Sequence, residues 1–221
     1  MNLTFGLALA AITLLPEAYK DRGELLIGID GMQSYGSTER HIKAMKEAHI
    51  DMVECEMLSK EELDRLQKYG IGCYLNAALP PWWGGAGPDK YPNGKMAEMR
   101  PLSMYGEALA KVPRHPAIWG LEVGDEPCAL DFEHYGRILP FLKERRPELG
   151  YYVCLYPNYA TSWSADRPAG DSQLGTKDYQ EYIAAWCRNV KIGNISTDIY
   201  PWGGDPKCGL MFENMRIVAD A

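Results

Sequence analysis

Short apolar runs alternate with stretches of helical periodicity along this chain. Residues 25–30 are apolar, close on turn residues, and predict a first strand. Ser37 stands where a cap is needed for a helix carrying Ile42, Met45 and His49 on one face. Residues 51–56 predict a second strand. Ser59-Lys-Glu-Glu62 is a capping box, and its helix turns Leu63 and Leu66 inward before Gly70 stops it. A third strand is predicted over 71–79, followed by a Gly/Pro/Trp loop over 80–92 and an amphipathic stretch over 102–112. Residues 118–123 read as a fourth strand, ending in Gly124-Asp125-Glu126-Pro127. Asp131 is the expected cap of a helix with Phe132, Tyr135, Ile138 and Leu142 on one face. Pro140 is expected to kink or split that helix. A fifth strand covers 151–156. Tyr179, Tyr182, Ile183 and Trp186 form a helical stripe, 194–200 a sixth strand, and 210–218 a last helix.

Strand-helix alternation with near-continuous apolar strands indicates a parallel sheet covered on both faces. The first strand is followed by no Gly-x-Gly-x-x-Gly, and no Gly-Lys-Ser/Thr loop occurs, so a nucleotide-binding doubly wound fold lacks its signature. The expected fold is α/β, a TIM-type (β/α) barrel with about six strand-helix units over residues 25–221. Such a barrel takes about 250 residues and eight strands. The expectation is therefore an incomplete barrel whose two open sheet edges invite a homo-oligomer. Residues 1–24 form an apolar N-terminal segment that reads equally as an export signal or an ordered extension. Its apolar part, 3–15, is shorter than the roughly 20 residues of a membrane span.

Composition narrows the partners. The 221 residues are 46% hydrophobic, and 23 basic against 30 acidic side chains give a net charge of −7. With no basic stripe, neither nucleic acid nor an anionic membrane is an expected partner. Six Trp and 14 Tyr against four Phe put a polar handle on most of the rings. Six cysteines, at 55, 73, 128, 154, 187 and 208, show no Cys-x-x-Cys spacing, so zinc is not expected. Buried free thiols are the favoured reading, with bridges left open for an exported chain. A secreted or periplasmic location is favoured over a cytoplasmic one.

In a (β/α) barrel the chemistry sits at the carboxyl ends of the strands. Those ends carry Asp30, Glu54 and Glu56, Asn76, Asp125 and Glu126, Tyr156 and Asn158, and Asp198 and Tyr200. The adjoining loops add Trp82, Trp83, Tyr91, Tyr159, Trp163 and Trp202. Carboxylates and aromatic rings without Lys or His suit a neutral polyol, whose hydroxyls pair with carboxylates and amides and whose C–H faces stack on indoles. The four histidines (41, 49, 115, 134) fall off the strand ends, so neither a His-based metal centre nor a Ser-His-Asp triad is expected. No cofactor is implied.

The segment from His115 to Pro127 resembles the fourth strand of the large clan of retaining (β/α)8 glycoside hydrolases, cellulases and β-galactosidases among them, which ends in Asn-Glu-Pro. Tyr156-Pro-Asn-Tyr159, Leu174-Gly-Thr176 and Asp198-Ile-Tyr-Pro201 are similar to motifs of glycosidase-like proteins of gut and rumen bacteria. The resemblance puts the acid/base on Glu126, with Asp125 in place of the usual Asn beside the sugar. Tyr200 matches the sixth-strand Tyr, while Asp198 replaces the usual His. It implies an oligo- or polysaccharide substrate of β-linked glucan or galactoside type. The substrate-binding residues would be Asp125, Asp30, Glu56, Asn76, Trp82, Trp83, Tyr156, Trp163 and Trp202. The clan's nucleophile comes from a seventh strand, beyond the six strand-helix units expected here. Asp198, Asp30 and Glu56 are the internal alternatives, and a wide pair would predict inversion. A non-catalytic sugar-binding protein or an inactive fragment on the same scaffold is the competing reading.

Overall fold

The computed structural model describes residues 26–32, 34–191, 194–200 and 210–221. The N-terminal segment 1–24, Trp202 and Cys208 lie outside the described residues. The strands are β1 (Gly28–Ile29), β2 (Met52–Cys55), β3 (Gly72–Leu75), β4 (Ile118–Asp125), β5 (Gly150–Leu155) and β6 (Ser196–Thr197). The helices are α1 (Glu39–Glu47), α2 (Lys60–Lys68), α3 (Met96–Met99), α4 (Leu102–Leu109), α5 (Phe132–Arg145), α6 (Tyr179–Asn189) and α7 (Leu210–Ala219).

The six strands form one sheet in the order β1-β2-β3-β4-β5-β6. The pairs β1–β2, β2–β3, β3–β4 and β5–β6 are parallel, and Glu126 N–H donates to Cys154 O at 2.7 Å where β4 meets β5. Strictly sequential order means that every helical crossover steps the same way. That is the winding of a (β/α) barrel, whereas a doubly wound sheet reverses at a switch point. Six of the eight strands that close such a barrel are present among the described residues.

Contacts divide the chain into two compact units. One runs up to Leu79 and includes Ala108–Glu122 and Leu142–Tyr151; the other comprises Pro80–Glu107, Val123–Phe141 and the chain from Tyr152 onward. In the first unit, Val53, Cys55, Cys73, Leu75 and Leu121 bury the sheet, and Leu63 and Leu66 of α2 are buried with them. Gly72 lies under the Trp119 ring, where a Cβ would overlap the indole. The capping box forms as expected, with Glu62 N–H donating to Ser59 Oγ at 3.3 Å and Ser59 N–H donating to Glu62 Oε2 at 2.8 Å. The α1 cap is Thr38 rather than Ser37: Thr38 Oγ1 accepts from His41 N–H, while Ser37 Oγ donates to Glu62 Oε1.

The core of the second unit is aromatic. Phe132 packs on Tyr182 and Trp186 with ring centroids 5.0 and 5.1 Å apart, and Tyr135, Tyr156 and Tyr179 complete the cluster. Much of the Tyr and Trp excess is therefore interior packing. Helix α5 runs through Pro140 without being split. Asp131 does not cap it in the expected way. Its buried carboxylate accepts the N–H groups of Gly94 and Met96 at 3.1 and 3.0 Å, which ties the 92–99 segment to the start of α5. Five cysteines among the described residues are free thiols, and Cys55, Cys73 and Cys128 are buried. No helix among the described residues is long and apolar enough to cross a membrane.

Candidate active site

The end of β4 carries the densest chemistry of the second unit. Glu126 has φ +48, a left-handed conformation that costs a residue with a Cβ about 1–2 kcal/mol. The following Pro127 adds to the strain, since the residue before a proline prefers extended backbone. Such strain persists only where surrounding contacts hold it, and it concentrates at functional positions. Three contacts hold it here. Glu126 N–H donates to Cys154 O, Asp125 N–H donates to Trp82 O at 2.9 Å, and Pro127 O accepts from Tyr182 Oη at 2.8 Å. The Tyr182 hydroxyl also accepts from Tyr156 N–H at 3.3 Å, so one fully buried phenol joins the ends of β4 and β5.

The Trp-Trp-Gly-Gly loop lies directly over this turn. Trp83 pairs with Asp125 in a parallel bridge, and its Nε1–H donates to Glu126 Oε2 at 3.0 Å. A Cβ on Gly84 would overlap the Glu126 carbonyl, and one on Gly85 would overlap both Glu126 Oε2 and Trp83 Nε1. Only glycine admits so close an approach. Burial pushes the Glu126 carboxyl above its ordinary range; the Trp83 hydrogen bond opposes this, and the Asp198 carboxylate reinforces it.

Asp198 follows β6 and is half-buried. Burial raises its carboxyl too, opposed by a hydrogen bond from the Tyr200 hydroxyl. Its Oδ1 is buried and has no hydrogen-bond partner among the described residues. Beneath it, Tyr179 Oη lies 3.2 Å from Thr197 Oγ1.

The expected site residues thus separate. Asp125, Glu126, Trp83, Tyr156, Asp198 and Tyr200 are brought to the strand ends of the second unit, to which Trp163 also belongs. Trp83 is 47% exposed and offers an open ring, whereas Trp82 is 2% exposed and packs on Tyr91 with centroids 5.1 Å apart. Trp82 is therefore a loop anchor with no face to present. Tyr156 is buried, and burial with the nearby Glu126 charge pushes its phenol up. Trp163 is half-buried with the Lys177 ammonium 5.4 Å from its ring centroid. Asp30, Glu56 and Asn76 belong to the first unit; Asp30 and Glu56 are exposed and Asn76 half-buried. No group of three or more His, Cys, Asp or Glu able to hold a metal occurs among the described residues.

Sequence reasoning missed two contributions. Tyr182 appeared only as a member of a core stripe. Gly84 and Gly85 appeared only as loop punctuation, although two glycines directly after two tryptophans were a readable sign of close backbone approach.

No protein-family model matches the chain, and none of the curated protein sequences matches it. Among solved structures it is similar to an endo-1,4-β-mannanase from Eisenia fetida, at 12% identity over 71% of this chain and 68% of that one, with a TM-score of 0.41. It is also similar to an endoglucanase from Pseudomonas stutzeri, at 12% identity over 90% of this chain and 84% of that one, TM-score 0.42. A β-1,3-glucanase and pollen allergen of Cryptomeria japonica is similar at 10% identity over 80% of this chain and 57% of that one, TM-score 0.37.

Proposed function

We propose that this chain is a glycoside hydrolase acting on β-linked glucan- or galactoside-type saccharides, with Glu126 as general acid. The observation that carries the reading is the pairing at the strand ends. Glu126 is half-buried and raised by burial, and a second carboxylate, Asp198, is near enough to raise it further. Environments that push two carboxyls apart divide acid from base. Burial and the Asp198 charge both favour the protonated form of Glu126, which suits it to the acid's part. The Tyr200 hydroxyl stabilises the Asp198 anion against its own burial, which suits Asp198 to the base's part.

Hydrolysis then balances as follows. The Glu126 proton passes to the glycosidic oxygen as its bond to the anomeric carbon breaks. Water adds to that carbon and gives its proton to Asp198. Asp125 accepts a hydrogen bond from a sugar hydroxyl, and the open Trp83 face stacks on a ring. The half-buried Trp163 ring offers a second stacking face, and Tyr200 orients Asp198.

The exposed Trp83 ring also supports a second reading, a saccharide-binding protein without turnover. Glu126→Gln separates the two. In a hydrolase, reducing-end release from β-glucan falls by at least about a hundredfold while binding by affinity electrophoresis persists. Equal turnover in wild type and variant overturns the acid assignment. Binding with no turnover in the wild type supports the binding protein.

A further inference from the structure

Deepening the reading of Glu126 as an acid, we propose that Trp83 is a positioning residue that decides which oxygen of Glu126 carries the proton. Trp83 Nε1–H occupies Oε2 as an acceptor at 3.0 Å. A carboxylic acid oxygen that receives an N–H is the carbonyl oxygen; its own proton then resides on the other oxygen. Oε1 has no hydrogen-bond partner among the described residues. The acidic proton is thereby placed on Oε1, which no donor or acceptor among the described residues satisfies, and is available to a leaving group.

The local backbone is built for this contact. The parallel bridge to Asp125 fixes Trp83 along the end of β4, and Trp82, buried on Tyr91, anchors the loop behind it. Gly85 passes so close to both Oε2 and Nε1 that a methyl group would meet the two atoms together. Oε2 is thus enclosed by the indole and the loop. The same hydrogen bond lowers the Glu126 carboxyl against the upward push of burial and Asp198. The exposed indole face remains free to meet a sugar while its edge holds the acid.

The test is Trp83→Phe, which keeps a ring face and removes the N–H. The Glu126 carboxyl is followed directly by 13C NMR of protein labelled at the Glu side-chain carboxyl, its resonance assigned by loss in Glu126→Gln. The expected result is a Glu126 titration midpoint that moves upward in Trp83→Phe, because the donor stabilising the carboxylate is gone. On β-glucan, kcat is expected to fall about tenfold with KM nearly unchanged, and the alkaline limb of the pH profile to move the same way. Trp163→Phe, a second loop indole, should leave the midpoint in place. A midpoint unchanged or lowered in Trp83→Phe overturns the proposal. Absence of turnover in every variant, with the midpoint still moved upward, supports the Trp83 assignment and overturns the hydrolase reading alone.

Discussion

The Tyr182 hydroxyl offers a quantitative handle on how the site is held. Tyr182→Phe deletes one oxygen and leaves the ring where it packs, 5.0 Å from Phe132 and stacked on Tyr179 at 5.9 Å. Two buried groups lose their partner: Pro127 O, at 2.8 Å, and Tyr156 N–H, at 3.3 Å. An unsatisfied buried polar group costs about 1–3 kcal/mol, and the longer bond belongs at the lower end, so the sum is about 2–4 kcal/mol. With a urea m-value of about 2 kcal/mol/M, the unfolding midpoint should fall by about 1–2 M with m unchanged. Tyr69→Phe is the matched control. It deletes a hydroxyl bonded to Glu39 Oε1 at 2.6 Å on the exposed surface, where water replaces the bond, and its midpoint should not move. Tryptophan fluorescence across a urea gradient reads both variants. If Tyr182→Phe shifts the midpoint by less than about 0.3 M, the phenol is not the clamp between the two strand ends.

Three further outcomes follow from the same contacts. Glu126 is raised in the folded state, so the fold binds its proton more tightly than the unfolded chain, and wild-type stability falls as pH climbs from the ordinary Glu range through the raised one. Glu126→Gln should therefore unfold at a higher temperature than wild type at neutral pH, with the gain vanishing once the pH is low enough to protonate Glu126; a gain that persists in acid contradicts the raised carboxyl. Asp131→Ala strips acceptors from Gly94 and Met96 N–H inside the second unit, and calorimetry should show a loss of about 2–4 kcal/mol, or about 5–15 °C in Tm. Gly85→Ala places a methyl group on Glu126 Oε2 and Trp83 Nε1; far-UV circular dichroism should stay native while kcat drops about a hundredfold, and retained kcat would show that the loop does not touch the acid.

The strand-helix alternation, the Ser59–Glu62 capping box and the α6 stripe were legible along the chain because each depends on local periodicity or on partners a few residues apart. Glu126 stood out for the same reason, as a carboxylate and proline closing an apolar run. Strand lengths were less legible: β6 covers Ser196–Thr197 where seven apolar-to-polar positions had suggested more, since a strand ends where its neighbour stops pairing.

Tertiary structure decided the rest. Trp82 and Trp83 are adjacent and chemically identical, yet one is buried on Tyr91 and the other meets solvent and Glu126. Nothing in composition separates them, because burial depends on which side of the loop faces the sheet. Asp131 gave its carboxylate to a loop more than thirty residues upstream rather than to its own helix, where it satisfies the buried Met96 N–H and the part-buried Gly94 N–H. The sequence by itself determined a barrel-type succession of parallel strands and which carboxylates stand at their ends. The tertiary structure determined which indole edge meets Glu126, because that contact is set by a left-handed backbone residue, two glycines and one buried phenol drawn from three separate segments.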